Sequence, residues 1–208
     1  QRTALARALV KDSDLILLDE PLANLDFKLR EELREELPKL FEDRDCIVVY
    51  ATTEPSEALL LGGNTATLLE GKVIQYGKTL DVYNKPNSLI SAQVFSDPPM
   101  NITNIKKSGE NCSFLDNSIN WKSKMKIKDG KYKVGIRPHN ITTYKVGNNS
   151  LEIKGKVLIS ELSGSESLIH FTRGDLNWVS LSNGVFQKNV GDEMNLYMNA
   201  DEFIYFDE

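Results

Sequence analysis

The sequence predicts an α/β domain with a parallel sheet over residues 1–96, followed by an all-β domain over 97–208. Three observations predict it. Two apolar runs, Leu15-Ile16-Leu17-Leu18 and Cys46-Ile47-Val48-Val49-Tyr50-Ala51, flank a charged helical pattern, the order strand, helix, strand. Asp97-Pro98-Pro99-Met100-Asn101 then interrupts either kind of element. Beyond it, short alternating runs recur between turn residues, as in a small barrel or sandwich.

In order along the chain, residues 2–11 carry Leu5, Leu9 and Val10 at helical spacing among alanines. The run from Leu15 to Leu18 suits a strand buried on both faces, and Asp19-Glu20 fall at its carboxyl end, where open α/β sheets bind ligands. Pro21 disfavours a helical Glu20, so that acid is expected to be extended. A helix begins near Leu25 with Asn24 as its cap. Its apolar stripe is Leu25, Leu29, Leu33 and Leu37, its charges from Lys28 to Glu36 face water, and Pro38 should end or kink it. The second strand, also read as buried, leads into Thr52-Thr53-Glu54, beside Asp19 and Glu20 if the strands are parallel neighbours. A short helix at Pro55–Leu61 ends at Gly62-Gly63. Thr65–Leu69 and Val73–Tyr76 form a hairpin around Glu70-Gly71-Lys72, and two helical pieces lie near 79–83 and 88–95.

In the second domain, 124–128 and 132–136 read as a hairpin turning at Asp129-Gly130, with later strands at 151–159, 167–171, 177–181 and 193–198. The lysines of 122–133 read as a solvated sheet face. His139 and His170 have no metal-spaced partner and read as structural.

Leu15–Pro21 resembles the Walker B segment of ATP-binding-cassette (ABC) ATPases. Leu22-Ala23-Asn24-Leu25-Asp26 is similar to that family's D-loop, and Gln1-Arg2 with Ala4–Leu9 to the helix that follows its LSGGQ signature. Val134-Gly135-Ile136-Arg137-Pro138, the loop Ser163-Gly164-Ser165-Glu166 and Met100-Asn101 resemble the TOBE-type regulatory domain of carbohydrate-type importer ATPases. The resemblance implies a partial P-loop NTPase sheet with flanking helices, then an OB-like barrel. It also implies roles: Asp19 for Mg²⁺ through its water shell, Glu20 as general base, Asp26 at the contact between two ATPase subunits, and Thr53 at the position of the switch residue. The family usually carries histidine where Thr53 stands, and threonine is shorter and offers one hydroxyl proton.

The chain begins without methionine, inside a helical pattern, and contains no GxxxxGKS or GxxxxGKT phosphate loop. The expectation is the C-terminal part of a longer protein, cut after the signature. ATP and Mg²⁺ are then cofactors of the full-length protein, with neither held tightly by these residues alone. The implied partners are a second ATPase subunit in a homodimer and the transmembrane permease subunits of an importer. They would place the protein at the cytoplasmic face of the cell membrane, touching it only through the permease.

Bulk properties agree. An apolar share of 40% and a charged share of 26% are ordinary for a globular chain of 208 residues, and a net charge of -5 argues against a nucleic-acid partner. Cys46 and Cys112 form no CxxC pair, and no apolar run approaches the roughly 20 residues of a membrane helix. The alternative from another class is a non-hydrolytic regulatory or binding module built on the OB-like barrel.

Overall fold

Leu15–Asp19 (β1) and Ile47–Ala51 (β2) pair in parallel, register Leu15↔Ile47 through Asp19↔Ala51. The computed structural model describes residues 2–11, 13–42, 44–116, 118–123 and 125–207. These pack as two units, Gln1–Pro86 and Asn87–Glu208.

In the first unit three helices cover one face of the parallel pair: Arg2–Val10 (α1), Phe27–Glu42 (α2) and Pro55–Leu61 (α3). The core joins Leu5 of α1, Ile16 and Leu18 of β1, Leu22 and Leu37, with Val48, Tyr50 and Leu61 against it. The expectation of strands buried on both faces is corrected. Leu15 (50%), Leu17 (68%), Ile47 (67%) and Val49 (51%) are exposed, because both strands have helices on one side only. An apolar run by itself does not say how many faces are covered.

α2 also differs from expectation. It starts at Phe27, capped by Asp26 and not Asn24, and it passes through Pro38 to Glu42. Buried Leu37 and half-buried Phe41 pack into the core on either side of the proline, and that packing outweighs the lost backbone bond. Asn64–Leu69 (β3) and Lys72–Lys78 (β4) form the expected hairpin. Glu70 and Gly71 both have positive φ (49° and 75°), as a two-residue turn between right-twisted strands requires. Thr79–Asn84 (α4) follows, and Thr79 donates its hydroxyl to the Gly62 carbonyl at 2.8 Å.

The second unit opens with Leu89–Val94 (α5), whose cap Ser88 accepts the Ser91 amide. Two five-stranded antiparallel sheets then wrap one core in a barrel-like arrangement. Asn101–Ser108 (β5), Asn111–Phe114 (β6), Asn120–Lys122 (β7), Gly130–Ile136 (β8) and Ile204–Asp207 (β14) form one, in the order β14-β8-β5-β6-β7. Ile141–Thr142 (β9), Ser150–Leu162 (β10), Glu166–Arg173 (β11), Leu176–Asn183 (β12) and Glu193–Asn199 (β13) form the other, in the order β12-β11-β10-β13-β9. Phe114 of the first sheet meets Trp178 of the second edge-on, centroids 6.3 Å apart, and Phe171 backs Trp178 at 6.2 Å. The whole is mixed α/β with β-structure dominant.

The expected hairpin around Asp129-Gly130 does not form. Residues 125–128 are not a strand, Lys124 lies outside the described residues, and β8 pairs with β5, register Lys107↔Gly130. Asp129 instead accepts the Gly109 amide at 2.8 Å and lies 3.5 Å from the ammonium of buried Lys107. Strands β5, β6, β7, β9 and β14 went unpredicted. β5 shows why: its inward residues are Asn101, Thr103, Ile105 and Lys107, a face that hydropathy assigns to water.

Candidate functional site

Parallel register sets the candidate site. On one face Leu15/Ile47, Leu17/Val49 and Asp19/Ala51 are successive cross-strand pairs, all exposed, so the Asp19 carboxylate ends an uncovered apolar stripe. The Glu20 amide donates to the Ala51 carbonyl at 2.9 Å, extending the ladder one step past β1. Glu20, Asp19 and Thr53 are all exposed at this end of the strand pair, with Thr53 two residues past Ala51.

Glu20 is not extended, as expected from Pro21, but left-handed at φ 43°. The chain turns at once: the Ala23 amide reaches the Glu20 carbonyl at 3.2 Å and Leu25 reaches Leu22 at 3.3 Å, around fully buried Leu22. Proline disfavours the right-handed region for the residue before it, and the turn requires curled backbone, which the left-handed conformation of Glu20 supplies. A non-glycine residue held there carries backbone strain of the kind found at functional sites.

The turn leads to Asp26, whose carboxylate accepts the Leu29 amide at 3.0 Å and caps α2. Arg30, expected to face water, folds back instead. Its guanidinium donates to the carbonyls of Ala23 (3.2 Å) and Leu25 (3.4 Å), bracing the loop from α2. Sequence reading missed this because Arg30 falls within a run of charges that reads as one solvated face.

Beyond β2 the loop is anchored by a residue that the sequence did not single out. Glu57 of α3 is 5% exposed and accepts the hydroxyls of Tyr50 (3.0 Å) and Thr52 (2.6 Å). Burial first, then the neighbouring Glu57 carboxylate, push the Tyr50 phenol well above its usual pKa. The available signal was faint: Glu57 stands four residues before core-facing Leu61, hence on the inward helix face.

Among the described residues no three His, Cys, Asp or Glu side chains are grouped to hold a metal ion. Asp19 and Glu20 offer hard oxygen donors open to solvent, a set that suits a largely hydrated Mg²⁺ and not a cage around a bare ion. His170 lies 4.0 Å from Glu161 in β10, and His139 is exposed in the short 3-10 turn Pro138–Asn140. No described helix is long and apolar enough to cross a membrane.

Known proteins are similar to this chain along its whole length. It is 32% identical over 216 residues to the xylose/arabinose import ATP-binding protein XacK of Haloferax volcanii, covering all of this chain and 56% of that protein. It is 30% identical over 221 residues to the uncharacterized ABC transporter ATP-binding protein YurJ of Bacillus subtilis, covering 60% of it. The oligosaccharides import ATP-binding protein MsmX of the same organism is 30% identical over 224 residues, with 60% covered. The relatives it matches over its whole length are thus ATP-binding proteins of ABC transporters, two of them named for sugar import. The chain spans little more than half the length of these relatives. No protein-family model matches it.

Proposed function

We propose that these residues are part of the ATP-hydrolysing subunit of an ABC-type importer, with sugars as the solute class. In this reading residues 1–96 are the C-terminal part of a P-loop nucleotide-binding domain, and 97–208 an OB-like, TOBE-type regulatory domain. The observation that carries it is the meeting of Asp19, Glu20 and the Thr53 loop at one end of a parallel strand pair, followed by a braced turn ending at Asp26. Sugars are favoured because XacK and MsmX are named for xylose/arabinose and oligosaccharide import.

Each side chain then has a role that its placement supports. Asp19, exposed on the uncovered face, would hold Mg²⁺ through its water shell. Mg²⁺, when bound with ATP, neutralises charge on the phosphates. Glu20 orients water and takes its proton. Asp26, with its loop braced by Arg30, lies at the contact with a second ATPase subunit of a homodimer. Thr53 offers one hydroxyl where the family usually carries an imidazole, so its reach towards the terminal phosphate is shorter. The triphosphate's cradle must come from outside these 208 residues, so the chain alone neither binds ATP tightly nor hydrolyses it. Permease subunits supply the membrane attachment, at the cytoplasmic face.

The test is the reading frame directly upstream of residue 1, with calorimetric titration of the chain by ATP. An in-frame phosphate loop and LSGGQ, and no micromolar ATP binding by the chain itself, are expected. A start codon beside residue 1 would favour a non-hydrolytic module instead, and micromolar binding would refute the inactivity of the isolated chain.

A further inference from the structure

We propose that Glu57 is a positioning residue for Thr53. Its buried carboxylate fixes the hydroxyl of Thr52, and that hydroxyl fixes the backbone on the far side of Thr53. The inference rests on reading the end of β1 and β2 as the reactive site, and adds to it the device that holds one of its edges still.

Glu57 is 5% exposed. A carboxylate so placed must be satisfied by donors, and two hydroxyls converge on it: Tyr50 at 3.0 Å and Thr52 at 2.6 Å. The two donors differ in what they hold. Tyr50 belongs to β2, already fixed by its ladder to β1, and its ring packs on the core. Thr52 lies past the last paired residue, Ala51. Its Oγ1 donates to Glu57 and accepts the Glu54 amide at 2.9 Å, so one hydroxyl links the buried acid to the backbone at 54. Thr53 sits between the two fixed points, its side chain exposed. A relay of this kind strengthens along its length, since each bond polarises the next. For packing alone, an apolar side chain at 57 would serve as well without burying a charge, so what the carboxylate adds is the hold on residues 52–54.

The test compares near-isosteric variants of the 208-residue chain. The readouts are amide hydrogen exchange at Glu54, followed by NMR, and global unfolding in urea. Thr52→Val and Tyr50→Phe each remove one hydroxyl from the same carboxylate. We expect Thr52→Val to speed Glu54 exchange by about tenfold, the loss of roughly one hydrogen bond. Tyr50→Phe should leave it within about twofold of the parent, and Thr52→Ser, which keeps the hydroxyl, should restore protection. Glu57→Gln, which keeps the shape and weakens the acceptor, should fall between. Equal acceleration in Thr52→Val and Tyr50→Phe, tracking global stability, would overturn the proposal by reducing Glu57 to a core residue. Unchanged Glu54 exchange in Thr52→Val would overturn it too. No nucleotide enters the measurement, so the ATPase reading and this one can fail separately.

Discussion

The Asn101 side chain is bonded twice to the backbone of Val179, its amide donating to the carbonyl at 2.7 Å and its oxygen accepting the N–H at 2.6 Å. Val179 lies on β12, the edge of one sheet, and Asn101 begins β5, in the interior of the other. A single carboxamide thus completes an open strand edge and ties the two sheets together. Because Asn101 is 96% buried, replacing it leaves both backbone groups without a partner or water. Asn101→Ala should destabilise the chain by about 2–3 kcal/mol, and Asn101→Asp, which loses the donor and buries a charge, by about as much or more. Urea unfolding followed by tryptophan fluorescence checks it, since Trp121 and Trp178 both lie in this unit's core.

Two glycines are there for space. A Cβ on Gly155 would overlap the ring of Phe171, and one on Gly135 would overlap the thioether of Met100. Phe171 is rigid and fully buried in the core, whereas Met100 can rearrange. Gly155→Ala should therefore cost more, about 2–3 kcal/mol against about 1 kcal/mol for Gly135→Ala. Thermal unfolding of the two variants side by side decides whether the neighbour's stiffness sets the order.

At the turn after β1, Asp26→Ala removes the cap of α2 and should cost about 1 kcal/mol, and Asp26→Asn much less. Arg30→Lys should loosen residues 22–26 with little change in global stability, because one ammonium cannot reproduce a guanidinium reaching two carbonyls. Hydrogen exchange at Ala23 and Leu25, whose amides close the turn, is the measurement.

His139 supplies a pH dependence. Although the residue is open to solvent on one side, partial burial of its ring and then the nearby Arg137 charge lower its pKa below the ordinary 6.5. The unfolded chain therefore takes up this proton more readily than the folded one, and stability falls as pH drops below about 6.5 towards the folded value. His139→Gln should flatten the stability curve from about pH 6.5 downward and leave it unchanged at pH 8. Urea midpoints of both chains across that window test the sign.

If the reading of Thr53 is right, Thr53→His in the longer reading frame should raise ATP turnover at saturating ATP by about tenfold or more, with a smaller effect on KM. Steady-state ATPase assays settle it, with Glu20→Gln as the inactive control.

What could be read directly from the residues were features that rest on local chemistry. The apolar runs before Asp19 and Thr52 are strands because β-branched and aliphatic residues favour pleated, packed surfaces. The Glu70-Gly71 turn was legible because a glycine beside an acid takes positive φ cheaply. That Asp19 and Glu20 stand at the end of the first strand was legible because an apolar run stops there at two acids and a proline. Misreadings arose where a residue's partner is distant or its environment overrides its type. Asn101 and Lys107 look solvated and are buried, and Pro38 looks terminal but lies within a helix held on both sides.

By itself, the sequence determined that strand, helix and strand precede an all-β unit, and which acids close the first strand. Tertiary structure alone decided that Glu20 is left-handed, that Asp26 and not Asn24 caps the helix, and that Arg30 and Glu57 brace the loops on either side. The reason is range. Propensity and periodicity act over a few neighbours, whereas a buried carboxylate or a folded-back guanidinium is fixed only when a strand and a helix meet.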